Sequence, residues 1–150
     1  MLTLGQQMAF QRELDHLLAT ARTNGRLDDP VLRDRLVALV IRVRIMRWNA
    51  TRALRVDDAA QLPREAMVNK LYWANLHRDM GEAAMDVLGA EAMLTRYSEA
   101  EEGDAGDLEM SGLHKLFFFT RSDTIYGGSN EIQKNVIGER ALGLPREPKI

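Results

Sequence analysis

The chain has 150 residues, no cysteine, 45% hydrophobic and 28% charged residues, and a formal net charge of −2. A chain of this length can bury about 70% of the surface its unfolded form exposes, enough for one core without staples. The lack of cysteine excludes a disulfide framework, a zinc-finger spacing and a thiol nucleophile, and the acidic balance argues against a dedicated nucleic-acid binder.

The first helix is predicted over about residues 4–23, with Leu14, Leu17, Leu18 and Ala21 on one face and Asn24-Gly25 as a left-handed stop. Its opening residues lack the basic start and apolar run of a signal peptide, so the expected compartment is the cytoplasm. Asp28 or Asp29 caps a second helix with Pro30 in its first turn, and its periodicity carries to about Val56. Pro63 opens a third, followed by Met67, Leu71, Ala74, Met85, Leu88 and Met93 to about Arg96. The acid-rich stretch 99–109, around Gly103 and Gly106, reads as a mobile polar loop. A fourth helix starts near Ser111, breaks at Gly127-Gly128, and continues from about Ser129 to Ala141, stopped by Gly143 and Pro145. Nothing reads as a strand, because Val, Ile and Thr never gather in alternating runs. The expected fold is all-α, an antiparallel four-helix bundle with a short extra C-terminal helix. The longest apolar runs, such as 37–41, are far too short for a membrane span.

Charge is uneven along the chain. Residues 1–75 carry 12 Lys+Arg against 8 Asp+Glu, and residues 76–150 carry 8 against 14. Between Arg33 and Arg55 seven arginines interleave with apolar residues at three- and four-residue steps, including Leu36, Leu39, Val43 and Met46. That pattern reads as a solvated or partner-facing flank of a core helix, since aromatic interleaving and a nucleic-acid motif are both missing. His16, His77 and His114 have no helical partner spacing for a metal and read as surface or capping groups. Arg78 and Glu82 read as an i,i+4 pair. Phe117-Phe118-Phe119 is too apolar for a lone exposed face, which favours an oligomer, a dimer or tetramer of like or unlike chains.

The most informative segment is Thr124-Ile-Tyr-Gly-Gly-Ser-Asn-Glu-Ile-Gln133. It is a two-glycine break, then Ser129 as helix N-cap and Glu131 in the first turn. The glycines let backbone approach a ligand closely, and the N–H groups of the new helix suit an anion or a polar cofactor edge.

The run TRSDTIYGGSNEIQKNVIGERALGLPRE closely resembles the C-terminal signature of the acyl-CoA dehydrogenase family. That family's pattern is approximately R-x-x-x-I-Y-E-G-T-x-E-I-Q followed by an I-x-x-R helix. Arg121, Ile125, Tyr126, Gly128, Ser129, Glu131, Ile132, Gln133, Ile137 and Arg140 fit it here. DPVLRDRLVALVIRVRIMRWNATRAL and MVNKLYWANLHRDMGEAAMDVLG resemble the family's second and third C-terminal helices. The resemblance implies that residues 1–150 are the helical C-terminal domain of a longer subunit, beginning inside that domain's first helix. It implies FAD as cofactor, an acyl-CoA thioester losing its α proton to a carboxylate and its β hydrogen as hydride, and an electron-transfer flavoprotein as partner. By correspondence Ser129, Asn130 and Glu131 are cofactor contacts and Gly128 lies beside the substrate. Arg22 matches the arginine that reaches the FAD pyrophosphate of a neighbouring subunit, with Gly25 where an aromatic usually follows.

The sequence also departs from the family. The usual catalytic Glu stands between the Tyr and the Gly, and this chain has Gly127 there, which cannot abstract a proton. Members that place the base on the first helix point to Thr23, again not a carboxylate. Glu13 and Asp15 on that helix, and Asp123 one turn before the glycines, are the acids at hand, and the catalytic residue stays unassigned. The Q-x-x-G-G-x-G flavin segment is replaced by Asp86-Val-Leu-Gly89. Two functions therefore stand: the helical domain of an active dehydrogenase, or a non-catalytic helical subunit whose paralogous partner supplies the base.

Overall fold

The structure is a computed structural model that describes residues 4–53, 64–94, 96–97 and 108–146. The elements are α1 (Leu4–Thr23), a 3-10 turn (Arg26–Asp28), α2 (Pro30–Ala53), α3 (Arg64–Met67) and α4 (Asn69–Leu88). A second 3-10 turn (Gly89–Met93), the two-residue strands β1 (Arg96–Tyr97) and β2 (Leu108–Glu109), α5 (Gly112–Asp123) and α6 (Asn130–Val136) follow, and α6 runs on as π-helix (Ile137–Ala141). The chain is all-α in class. β1 and β2 form a two-residue antiparallel pair, Arg96 opposite Glu109 and Tyr97 opposite Leu108. Of the polar loop expected over residues 99–109, residues 99–107 lie outside the described residues, as do the second helix beyond Ala53 and the start at Pro63, while Leu108 and Glu109 pair as a strand instead.

Helix pairing follows from the sequence's own seams. α1 buries Phe10, Leu14, Leu17 and Ala21, and α2 buries Leu32, Leu36, Leu39, Val43, Met46 and Ala50. Both sets step by alternating threes and fours, the spacing that keeps one stripe against a neighbouring helix. Gly25 turns the chain between them in the left-handed conformation, φ 66°. Cross-helix bonds set the directions. Asn24 donates to Val87 O and Glu13 meets His77, so α1 runs parallel to α4. Arg35 pairs with Asp86 and Arg42 with Asp79 at 2.6 Å, so α2 runs antiparallel to it. His114 reaches Ala92 O while Lys70 reaches Asp123 O, so α5 is antiparallel to α4 as well. Part of the arginine-rich flank therefore faces α4 and its acids, not solvent alone.

α4 packs against α1, α2 and α5, and this corrects the sequence reading of that stretch. The predicted single helix over residues 63–96 is interrupted at Val68 and stops at Leu88, because Gly89 takes φ 62°, ψ −130°, which a side chain disfavours. Its fully buried apolar side chains include Leu76, Met80, Ala84 and Val87, while Met93 is exposed. A helix with neighbours on several sides has no single apolar stripe for a period to find. Arg78 and Glu82 do not pair with each other: Arg78 bonds Asp79 at 3.1 Å and Glu82 bonds Arg121 at 3.0 Å. The fourth helix stops at Asp123, four residues short of the glycines.

α5 approaches α4 through Gly81. A Cβ there would lie 2.3 Å from Thr120 Oγ1 and 3.1 Å from the Phe117 backbone. Gly81→Ala is therefore expected to destabilise the chain by about 1–3 kcal/mol of overpacking, despite the helix propensity of about 1 kcal/mol that alanine adds. The denaturant midpoint measures it. No described helix is long and apolar enough to cross a membrane.

Candidate functional site

Two constructions meet at the C-terminal end of α5. The first is the break at residues 124–129. α5 closes with Ile125 and Tyr126 N–H both donating to Ser122 O, at 2.9 and 3.0 Å. Gly127 and Gly128 then take φ 66° and 98°. A Cβ on Gly127 would stand 3.3 Å from Lys70 Cε, and one on Gly128 2.8 Å from Gln133 Nε2. Gln133 Nε2 closes the loop by donating to Gly127 O at 2.8 Å. Glycine is thus favoured at both places by conformation, and a side chain there would have to displace the Lys70 or Gln133 tip. Exposed Ile125, Tyr126 and Ile132 flank this bared backbone.

Ser129 stands at the N-cap of α6, but its side chain makes no cap bond to the helix backbone. Its hydroxyl lies by Glu131, whose carboxyl is held below the ordinary carboxylate range by its own backbone N–H first and by Ser129 second. Asn130 and Asn75 exchange amide hydrogen bonds at 3.0 and 3.3 Å, fastening α6 to α4.

The second construction is a buried polar ladder. His77 on α4 is 4% exposed and Asp123 is fully buried. His77 Nδ1 lies 2.5 Å from Asp123 Oδ2, and Nε2 lies 2.9 Å from Glu13 Oε2 on α1. Phe10 stacks on the imidazole at 4.1 Å between centroids. Lys70 Nζ donates to Asp123 O at 2.5 Å and sits over the rings of Trp73 and Tyr126, at 4.8 and 5.3 Å. Burial pulls the His77 pKa down, but hydrogen bonds to Asp123 and Glu13, and their charges, outweigh it and raise the value above 6.5. The Tyr126 phenol is pushed up by burial and by the Asp123 carboxylate, and the Lys70 ammonium is pulled down by burial. Asp123 Oδ1 has no hydrogen-bond partner among the described residues. Among those residues no group of three or more His, Cys, Asp and Glu is arranged to hold a metal ion.

The geometry of a glycine-bared turn gains its meaning from its relatives. The family profile described as "Acyl-CoA dehydrogenase, C-terminal domain" matches residues 1–142. The chain belongs to the acyl-CoA dehydrogenase family. Acyl-CoA dehydrogenase IpdE1 of Mycobacterium tuberculosis is 46% identical over 147 residues, covering 98% of this chain and 35% of that protein. IpdE1 of Mycolicibacterium smegmatis is 44% identical, covering 98% and 34%. Among solved structures, a Tcur3481-Tcur3483 steroid ACAD superposes with a TM-score of 0.69 at 25% identity, over 95% of this chain and 36% of that one. The chain thus spans about a third of the length of the curated relatives it matches.

Set against the family correspondence, the structure brings Gly128, Ser129, Asn130 and Glu131 together in one turn and leaves Arg22 elsewhere. Arg22 is exposed in the last turn of α1, beside the α4 terminus that Asn24 touches at Val87. The break sits at the Lys70 end of the same helix, about 25 Å away at 1.5 Å per residue. Glu13 and Asp123 are both engaged by His77, and Asp15 accepts from Gln11 at 2.9 Å. Gly127 carries nothing that can accept a proton. His77, read from sequence as a surface or capping group, is instead buried between two carboxylates. Its signal was the small-residue stripe Ala74, Gly81 and Ala84, at three- and four-residue steps through position 77, which marks a face closely approached by another helix.

Proposed function

We propose that this chain is the helical C-terminal domain of a subunit that carries out FAD-dependent α,β-dehydrogenation of an acyl-CoA thioester. The observation that carries the reading is the glycine-bared turn at Gly127-Gly128, with Ser129 and Glu131 just beyond it, in a chain matched by the family over residues 1–142. The turn fits a flat ligand edge. Backbone stripped of Cβ atoms lies beside apolar Ile125, Tyr126 and Ile132, with the Ser129 hydroxyl half-exposed next to them. Ser129, Glu131 and the Asn130 backbone would hold FAD there, and Arg22 would reach the FAD of a neighbouring subunit. When bound, FAD supplies the acceptor for the β hydrogen as hydride. Gly128 lets the thioester approach the backbone, and Gln133 holds the carbonyl of Gly127 in place. Likeness to a steroid ACAD makes a steroid-derived acyl group the favoured thioester. An electron-transfer flavoprotein is the proposed electron acceptor.

A second reading is favoured by one observation. Gly127 adopts φ 66° directly over Lys70, and each acid near it is either buried or already bonded. On this reading the chain is a non-catalytic helical subunit and a paralogous partner supplies the base. The paired designation of the solved relative suits such an assembly, as do Phe118 and Phe119, each more than half exposed on α5. The full-length subunit, assayed with acyl-CoA and an artificial electron acceptor with and without its paralogue, separates the two. Turnover by the subunit alone would exclude the second reading. Residues 1–150 alone are expected neither to retain FAD nor to oxidise acyl-CoA, since the turn supplies only one edge of the site. A yellow, flavin-loaded preparation of these residues would contradict this.

A further inference from the structure

The Glu13–His77–Asp123 ladder shares no residue with the flavin and thioester contacts proposed above, yet it buries two ionisable side chains, His77 and Asp123, against each other. Its three members come from three helices: Glu13 from α1, His77 from α4 and Asp123 from the last position of α5. A neutral imidazole has one N–H, and here both ring nitrogens face a carboxylate oxygen within 2.9 Å. Only the doubly protonated ring donates to both. The other groups facing it are accounted for: Lys70 from its own helix holds the Asp123 carbonyl, Tyr126 from the break lies by the Asp123 carboxylate, and Phe10 and Phe119 supply apolar walls. Two carboxylates then balance two cations.

The two carboxylates differ in what they lose without the ring. The Asp123 side chain is fully buried, whereas that of Glu13 is 36% exposed and can turn to water. A bare buried carboxylate is far costlier than a solvated one. When the ring gives up one proton, it should therefore keep Nδ1–H towards Asp123 and release Glu13.

We propose that His77 is a positioning residue with two separable arms: Nδ1–H holds Asp123, and with it the break, in either protonation state, while the proton on Nε2 couples α1 to that break. The inference takes the break as the site on the strength of the proposed function. Its test uses neither flavin nor thioester, so failure of one leaves the other standing.

The test is nitrogen-detected NMR of the 150-residue chain across a pH titration, with amide hydrogen exchange. At low pH His77 should show both ring N–H groups. Above a midpoint higher than the ordinary 6.5 it should show the Nδ1–H tautomer alone. Exchange of the α1 amides near Glu13 should then accelerate by about tenfold, the factor one charge-assisted hydrogen bond is worth, while the Gly127 and Gly128 amide shifts stay in place. Glu13→Gln should abolish the α1 response and leave the glycines unmoved. Asp123→Asn should shift the glycine amides at every pH. An Nε2–H tautomer after deprotonation, an α1 response that survives in Glu13→Gln, or glycine amides that ignore Asp123→Asn would each overturn the proposal. The tautomer is read in the unaltered chain, so the test does not depend on any variant folding.

Discussion

Replacing Asp123 with alanine is expected to destabilise the chain by about 3 kcal/mol, the low end of what removing one partner of a buried ion pair costs. The reason is positional. Asp123 is fully buried and His77 nearly so, so the imidazole left behind has no water to replace the lost carboxylate and must shed its proton or stay half-paired. Glu13→Gln, at the half-exposed end of the ladder, should cost about 1 kcal/mol, since water and the amide can substitute. The same cluster gives stability a definite pH slope. His77 has a folded-state pKa raised above 6.5, so the folded state binds the proton more tightly than the unfolded one. Its contribution is fully present below pH 6.5 and is lost as pH rises through the folded pKa, at up to about 1.4 kcal/mol per pH unit. Urea midpoints collected on both sides of pH 6.5 test both statements. A wild-type midpoint that rises with pH across that window would contradict the assignment, as would a slope left undiminished in Asp123→Ala.

Gly128→Ala should leave the bundle intact and disable the break. At φ 98° an alanine is strained by about 1–2 kcal/mol before any contact is considered. Its Cβ would stand 2.8 Å from Gln133 Nε2, the atom that closes the turn onto Gly127 O. The amide can move aside, but the Gln133–Gly127 bond is then lost, worth about 1 kcal/mol. The expected result is a small fall in the denaturant midpoint, because α6 is short and the core lies elsewhere. In the full-length subunit flavin retention should fall by about tenfold, the equivalent of about 1.4 kcal/mol. Gly143→Ala is the matched control. It removes another left-handed glycine, φ 69°, with open space around it, and should leave flavin retention unchanged. Equal flavin loss in both variants would show that the turn at Gly128 has no special role.

The first two helices were the most legible. α1 and α2 each meet their partners along one stripe, so Leu14, Leu17 and Ala21, or Leu36, Leu39 and Val43, announce both the helix and the face it buries. The sequence sets no single face for α4 and overstates its length, because three helices surround it and its contacts with α5 use glycine and threonine rather than large apolar groups. The break was legible as a local event, since Gly-Gly after Tyr126 and before Ser129 dictates backbone conformation by itself. The role of Ser129 as a backbone cap was not, because the hydroxyl lies by Glu131 instead.

What the amino-acid order determined unaided is the all-α class, the glycine break and the family signature, all of which rest on residues within one or two helical turns of each other. Only the tertiary structure decided what becomes of Glu13, His77 and Asp123. They are separated by 64 and 46 residues along the chain and meet within hydrogen-bonding distance. A carboxylate in sequence looks the same whether it ends in water, on a substrate or against an imidazole. Its chemistry is set by which helices converge on it and how much water they exclude, and that is a property of packing.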